Sequence, residues 1–490
     1  MKEILKNLNH DHFIILSEFV FVIAFFLQST FLAILSLSIL FGTLIIEAIK
    51  DFKNKSLLFF FLIAFFTFTM GQYFIENINT QMYYLNFPTH TIIKTIFIQY
   101  LALMSIYLAI KVVDHFANKK CQNVTNEIKN NSDNTNFKII NQIIFCFLFI
   151  SFVISIVTSV ESAIRVMKYG YLEIYVNNHP SIFPEYIFSI GNSLIIFTSL
   201  YLSMSSSKKK SLIVLGMYFF SLCASLFSGS RSTFVIGIMY IIFYLIIMQK
   251  NYKWFKLETI KKFLITIVAI TPIAIVGLNI YNNTRNTIKV EDLSISKEFR
   301  SFFLNQGGSI NLVSYSQEFK QQINSKDHNY VLGPVIEVFN KRIQDITNNK
   351  VSLYDNTKLE NQRKYNFAID MSIYILGEDM YAKGNGTGSQ YLAELYIEYG
   401  YFGVVLFNFM LGIIIYCLNK LCYKKWFFLA LTLILFPSIV YIARGQTMQI
   451  LLSCLSITFW GSTLLIFLLN KFIIFLKKKG VVDDESSLVK

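Results

Sequence analysis

Only seven of the 44 basic residues in this sequence are arginines, and these seven carry its most specific chemistry. They are Arg165, Arg231, Arg285, Arg300, Arg342, Arg363 and Arg444. An arginine side chain ends in a planar fork that can form two parallel hydrogen bonds to one phosphate or carboxylate. Arginines that face one compartment therefore indicate a binding site for phosphate or carboxylate groups on that side.

Two carboxylates and one histidine are the candidates for proton transfer. Glu394 and Glu398 are four residues apart at the start of a long apolar stretch, so a helix places both on one face. A carboxylate at a membrane edge is costly and is a functional candidate by default, and Glu394 is our first candidate for the general base. In the alternative interpretation, both carboxylates bind amides of the helix start, and we favour this steadying role for Glu398. His328 is the second catalytic candidate, although a single histidine is more often a surface residue.

The elements that position these residues are membrane-spanning helices. Hydrophobic residues make up 54% of the 490 positions and charged residues 15%, whereas a soluble domain carries roughly 25% charged residues. Since about 20 apolar residues cross the hydrocarbon core as a helix, we predict an all-α integral membrane protein with about twelve spans. Their approximate bounds are 12–28, 30–49, 57–75, 92–112, 138–160, 183–204, 211–228, 233–248, 263–281, 390–418, 426–442 and 447–473.

The lysines predict the orientation of these spans, because cytoplasmic loops carry the excess of Lys and Arg. With both termini in the cytoplasm, the inner segments hold 26 lysines, and the short outer loops hold only Arg165, Lys168, Arg231 and Arg444. This distribution predicts a multi-pass protein of a bacterial inner (cytoplasmic) membrane. Its segments are spans 1–9 in residues 1–281, a large extracytoplasmic loop at 282–389, spans 10–12 in 390–473, and a cytoplasmic tail at 474–490.

In this orientation all seven arginines lie on the outer side. A cation there opposes the usual charge bias, which indicates an anionic ligand. We predict that the residues that bind the anionic groups of this ligand are among Arg231, Arg285, Arg300 and Arg444. For Arg342 and Arg363, deep in the loop, a solvated or acid-paired role is an equal alternative.

Charge and cysteine usage exclude two other classes of function. The net charge of +14 is spread over short loops rather than one face, which argues against a nucleic-acid partner. The six cysteines form no CxxC pair and have no metal-ligand spacing, so we expect neither a disulfide framework nor a metal site.

Four stretches of this sequence resemble a known family. They are "LFSGSRSTFVIGIMY", "FLNQGGSINLVSYSQEFK", "YVLGPVIEVF" and "GNGTGSQYLAELYIEYGYFGVVL". Their order around one long outer loop is similar to that in the Wzy-type polymerases, which join the repeat units of O-antigen and capsule polysaccharides. The resemblance covers about a third of the chain, and Gln306, Ser309 and Tyr391 in these stretches are further candidate substrate-binding residues, together with Glu398.

The resemblance implies a glycosyltransferase of the GT-C type that needs neither metal nor cofactor. It would act on oligosaccharides linked to undecaprenyl pyrophosphate at the outer face of the membrane, as both donor and acceptor. Membrane lipid, a chain-length regulator and a flippase are the other candidate partners. The product would be O-antigen or capsule. In this chemistry the arginines would bind the departing pyrophosphate and Glu394 would accept the proton of the attacking hydroxyl.

Three alternatives to a polymerase remain: a transporter, a ligase of the same broad class, and an acyltransferase. A transporter, such as a lipid-linked oligosaccharide flippase, usually has internal repeats and broken helices at the membrane midplane; the two halves of this sequence show no such similarity. A ligase would have the same donor but a different acceptor. An outer-face acyltransferase would require a histidine or serine dyad that the sequence does not indicate.

Overall fold

The protein is a bundle of long apolar helices with a cap of short helices. The computed structural model describes residues 10–74, 87–120, 135–169, 181–205, 207–228, 231–255, 300, 302–304, 306–348, 352–355 and 358–478. Within these ranges the regular structure is helical, without a strand. Ten helices there are long and apolar enough to cross a membrane.

The first half of the described chain forms nine α-helices. They are α1 (His10–Phe26), α2 (Thr30–Lys50), α3 (Phe52–Phe65), α4 (Thr89–Lys120), α5 (Thr135–Tyr169), α6 (Glu185–Asn192), α7 (Leu194–Met204), α8 (Lys208–Phe227) and α9 (Arg231–Tyr252). The hairpin between α1 and α2 is at Gln28 and Ser29, and Ser29 caps α2 by accepting a hydrogen bond from the Leu32 amide at 3.4 Å. A π-helical turn and a 3₁₀ turn extend α3 to Phe74.

The second half contains six short helices and then four that complete the bundle. The short ones are α10 (Asn311–Glu318), α11 (Lys320–Asn324), α12 (Gly333–Ile346), α13 (Leu359–Tyr365), α14 (Phe367–Leu376) and α15 (Glu378–Ala382). The others are α16 (Tyr391–Leu421), α17 (Trp426–Tyr441), α18 (Gln449–Cys454) and α19 (Ile457–Lys478).

The helices agree with most of the predicted spans. The first predicted span corresponds to α1, which has 17 residues, and ten of the others coincide with the ten membrane-length helices. The remaining span, 263–281, lies outside the described residues, so the count of twelve stays a prediction. Many large apolar side chains on the bundle surface are exposed, among them Phe26 at 79% and Phe402 at 74%. Such a surface suits contact with lipid.

One end of the bundle, which we call the lysine-rich end, is closed by a partly buried ionic cluster. Lys55 Nζ lies 2.5 Å from Glu47 Oε1 and 3.4 Å from Asp114 Oδ2, and the Tyr416 hydroxyl donates to the other oxygen of Asp114. Asn419 Oδ1 accepts hydrogen bonds there from the Ser56 hydroxyl and the Leu57 amide of α3. The cluster joins α2, α3, α4 and α16, and its charges are paired, as burial requires.

The opposite end, the loop end, carries the short helices of residues 306–389. Helix α10 packs against the start of α4, where Thr91 Oγ1 donates to Glu318 Oε1 at 2.7 Å and Gln317 Nε2 donates to Thr95 Oγ1 at 2.8 Å. Gln72, at the end of the α3 extension, donates to Asn311 Oδ1 at 3.1 Å. These polar contacts fix the short helices on the ends of the long ones. The described part of the predicted outer loop therefore lies at the opposite end of the bundle from the lysine-rich end.

Helix α16 is broken at Gly400. The backbone there has φ +62° and ψ −153°, a conformation that residues with a Cβ rarely adopt. Nine residues of α16 precede the break, and the first seven of them, 391–397, are all buried. The 21 residues after it extend about 32 Å at 1.5 Å per residue, which matches a hydrocarbon core of about 30 Å. The break therefore separates a helix of membrane length from a short helix that belongs to the cap.

Candidate functional site

Glu394 lies in the short first part of α16 and is 1% exposed. Its Oε1 accepts a hydrogen bond from the Ser389 hydroxyl at 2.5 Å, and its Oε2 accepts one from the Thr447 amide at 2.7 Å. The Thr447 hydroxyl in turn donates to the Tyr391 carbonyl at 3.3 Å, and Gln390 Nε2 donates to the Ala443 carbonyl at 3.2 Å. The start of α16 thus holds the connection between α17 and α18, which we call the 442–447 segment.

Arg444 is in the middle of that segment and is half-buried. One of its terminal nitrogens donates to Gln306 Oε1, and its guanidinium lies 5.7 Å from the centre of the Phe68 ring, within cation–π range. The Ser309 hydroxyl donates to the Phe68 carbonyl at 2.8 Å. Three predicted binding residues, Gln306, Ser309 and Arg444, therefore lie together at the end of the α3 extension.

His328 and Glu398 form a pair one helical turn from Glu394. His328 Nδ1 is 3.0 Å from Glu398 Oε1, and the same oxygen accepts the Tyr330 amide at 2.5 Å. The His328 ring is stacked on the Tyr330 ring, with 4.9 Å between centres and 3° between planes. A carboxylate can only accept hydrogen bonds, so opposite an ionised Glu398 the hydrogen of a neutral His328 is on Nδ1, and Nε2 keeps its lone pair.

Behind this pair lies an acidic residue that the sequence analysis did not select. The Tyr330 hydroxyl donates to Asp370 Oδ2 at 2.6 Å, and Arg363 Nε donates to Asp370 Oδ1 at 2.6 Å. Burial and the nearby Asp370 raise the pKa of Tyr330, so its hydroxyl keeps its proton and remains a donor. Arg363 also lies 3.8 Å from Glu378, which agrees with the acid-paired alternative for this arginine.

The other predicted residues are placed as follows. Tyr391 is fully buried and its hydroxyl donates to Asn408 Oδ1 at 3.0 Å. Arg231 is the first residue of α9. Arg300 is exposed, and Arg285 lies outside the described residues. Arg342 donates to the Leu455 carbonyl between α18 and α19.

Three residues of this site were missed from the sequence alone. Asp370 is the one acidic residue in the apolar helix α14, and an acid in such a run indicates a paired or functional carboxylate. Ser389 and Thr447 have no such signal, because their role depends on contacts with Glu394. In the described part of the chain, no three His, Cys, Asp or Glu side chains form a group that could hold a metal ion.

Comparison with protein families accounts for nearly the whole chain. The family model described as O-antigen polysaccharide polymerase Wzy matches residues 11–479. The chain belongs to this family. The resemblance predicted from four short stretches is thereby confirmed and extends over all the helices of the bundle. Neither a curated protein nor a solved structure matches the chain.

Membership of the Wzy family identifies the general activity. Wzy proteins are polymerases of the glycosyltransferase type that act on lipid-linked oligosaccharide repeat units in the membrane. The apolar helices agree with a multi-pass membrane protein of this kind. The polar residues at the loop end of the bundle are thus the candidate active site of an O-antigen repeat-unit polymerase.

Proposed function

We propose that this Wzy protein joins oligosaccharide repeat units carried on undecaprenyl pyrophosphate, at the outer face of the inner membrane and without a metal ion. The growing chain would pass from its own carrier to the non-reducing end of the next lipid-linked unit, in a GT-C-type reaction. The observation that carries the proposal is the His328–Glu398 pair, whose nitrogen and oxygen lie 3.0 Å apart at the loop end. The excess of lysines at the other end supports the outer location.

His328 is the general base of this proposal and Glu398 positions it. The acceptor hydroxyl attacks the anomeric carbon of the donor sugar, and a new C–O bond forms as the bond to the pyrophosphate oxygen breaks. The hydroxyl proton goes to His328 Nε2, and the resulting imidazolium is stabilised by the Glu398 carboxylate. Tyr330 keeps the imidazole ring in place through its stacked ring and through its amide on the same carboxylate.

Arg444 is the ligand of the departing pyrophosphate. Its guanidinium is oriented by Gln306 and Phe68, and such a preorganised cation stabilises the charge that develops on the leaving oxygen. Glu394 holds the 442–447 segment that carries Arg444, because its carboxylate accepts the Thr447 amide. Arg231, Arg285 and Arg300 remain candidates for further contacts with the two phosphates.

Glu394 has a positioning role in this proposal rather than that of the base, because both of its oxygens are already bonded and it is 1% exposed. A glutamine side chain can keep both contacts, because its oxygen can accept the Thr447 amide and its amide group can donate to the Ser389 hydroxyl. We expect the Glu394→Gln protein to polymerise within about tenfold of wild type, since its arginine segment stays in place. In Glu394→Leu the Thr447 amide loses its acceptor at a cost of about 1–3 kcal/mol, and both chain extension and protein level should fall.

The length ladder of lipid-linked glycan in a strain without its own copy measures this difference. A Glu394→Gln protein that reached wild-type levels in the membrane but failed to extend chains would indicate that Glu394 is the general base.

The function itself is tested with the purified full-length protein in vesicles supplied with undecaprenyl-pyrophosphate-linked repeat units. We expect longer glycans and the release of one undecaprenyl pyrophosphate per bond formed, at the same rate with and without a chelator such as EDTA.

Movement of the substrate across the bilayer without extension would identify a flippase. In vesicles that also contain a lipid A core acceptor, transfer only to that acceptor would identify a ligase. Loss of extension in EDTA would refute the metal-independent mechanism.

A further inference from the structure

Helix α12 in the cap has an apolar stripe that no part of the described chain covers fully. Leu332, Phe339 and Ile346 are 42%, 43% and 82% exposed, although the short helices around them bury most of their apolar residues. Successive positions are seven residues apart, which is close to two helical turns. Phe339 and Ile346 therefore lie on one face of α12, and Leu332, the residue just before the helix, continues that face.

The other faces of α12 have different surroundings. Asn340 is buried against the protein, where it donates to the Tyr354 carbonyl at 3.1 Å and accepts the Leu353 amide at 2.6 Å. Lys341 and Asp345, which are four residues apart, are exposed on the side opposite the apolar stripe. The helix therefore has a protein face, an apolar exposed face and a charged exposed face.

Two contacts place α12 at the ends of predicted membrane spans. Arg342 donates to the Leu455 carbonyl, in the connection just before α19, and Lys341 Nζ lies 4.0 Å from Glu185 Oε2 at the first residue of α6. The first turns of α19 are apolar and exposed, with Trp460 at 60% and Leu464 at 58%. The apolar stripe of α12 is thus close to the outer end of a surface that faces lipid.

We propose that α12 is an interfacial helix whose Leu332–Phe339–Ile346 stripe is inserted into the outer-leaflet surface of the bilayer. An amphipathic helix of this kind lies in the plane of the interface, with its apolar side at the boundary of the acyl chains and its charges among the headgroups. Arg342 fixes it to the end of a span. The occupant of the stripe is membrane lipid rather than a second protein, because the stripe continues the apolar belt of the spans.

This arrangement has a consequence for the site. Tyr330 is three residues before α12, so a helix held at the headgroups fixes the depth of His328 and Tyr330 near the pyrophosphate of a lipid-linked substrate. This consequence, unlike the lipid contact itself, rests on the proposed function.

Photo-crosslinking from single positions tests the lipid contact. The photoreactive residue p-benzoylphenylalanine would be placed at Phe339, Ile346, Lys341 or Asp345 of the full-length protein, and at Trp460 as a lipid-facing reference. After reconstitution into vesicles of phosphatidylethanolamine and phosphatidylglycerol and irradiation, mass spectrometry counts lipid adducts. We expect the adducts at Phe339 and Ile346 to approach those at Trp460 and to exceed those at Lys341 and Asp345 severalfold.

Other outcomes would refute the interfacial helix. Equal adducts at all four α12 positions, adducts at none of them while Trp460 reacts, or cross-links between two copies of the chain would each do so. The readout does not depend on polymerisation, so an inactive protein that still gave the expected pattern would refute the proposed function and leave the interfacial helix intact.

Discussion

The His328→Ala protein is expected to extend lipid-linked chains about 10²–10⁴-fold more slowly than wild type, the usual contribution of a positioned general base. The Glu398→Gln protein should be slower than wild type but faster than His328→Ala, because a neutral amide can still accept a hydrogen bond from Nδ1. What it loses is the charge that stabilises the imidazolium. The measurement is the single-turnover rate of undecaprenyl pyrophosphate release in reconstituted vesicles.

His90→Ala is the matched control for this prediction. His90 is exposed at the same end of the bundle and is outside the His328–Glu398 pair, so its replacement should leave the rate unchanged. Wild-type rates for His328→Ala would exclude this residue as the base. A loss in Glu398→Gln larger than that in His328→Ala would indicate that Glu398 itself takes the proton.

Replacing Arg444 by lysine is expected to lower the same rate by about 10²–10³-fold, the usual cost of removing one donor to a developing oxyanion. Lysine keeps the positive charge. It cannot hold the Gln306 oxygen and a phosphate in the same plane, nor can it stack in the same way on Phe68. If Arg444 stabilises mainly the transition state, its replacement should lower the maximal rate and leave the substrate concentration for half-saturation nearly unchanged.

Arg165→Lys provides the control substitution of the same type. Arg165 pairs with Glu161 at 2.9 Å in α5, and a lysine there can keep the ion pair, so chain extension should be nearly unaffected. A normal rate in Arg444→Lys, with wild-type protein levels, would remove Arg444 from the pyrophosphate site and leave Arg231, Arg285 and Arg300 as the remaining candidates.

The apolar runs of the sequence were sufficient to predict the bundle, since about 20 apolar residues in a row have few alternatives to a membrane helix. The break at Gly400 was not predicted, because a glycine is tolerated in the middle of an apolar helix pattern and carries no distinct signal there. The predicted span at 263–281 and the candidate Arg285 lie outside the described residues and stay predictions.

The site was predictable in its residue types but not in its pairings. The sequence marked Glu394, Glu398 and His328 as candidates from their position and type. It could not show that Glu398 meets His328, 70 residues earlier in the chain, or that Glu394 is enclosed by Thr447, 53 residues later. These pairings result from the packing of distant segments, and they shift the proposed base from Glu394 to His328.

The break in α16 also bears on how the chain enters the membrane during synthesis. A charged residue at the centre of an inserting helix costs about 3 kcal/mol on insertion scales. The 21 residues after Gly400 contain no acidic residue, and both glutamates of the site precede the break. The insertion machinery can therefore select the 401–421 stretch as a complete span, while Glu394 and Glu398 fold later with the short helices of the cap.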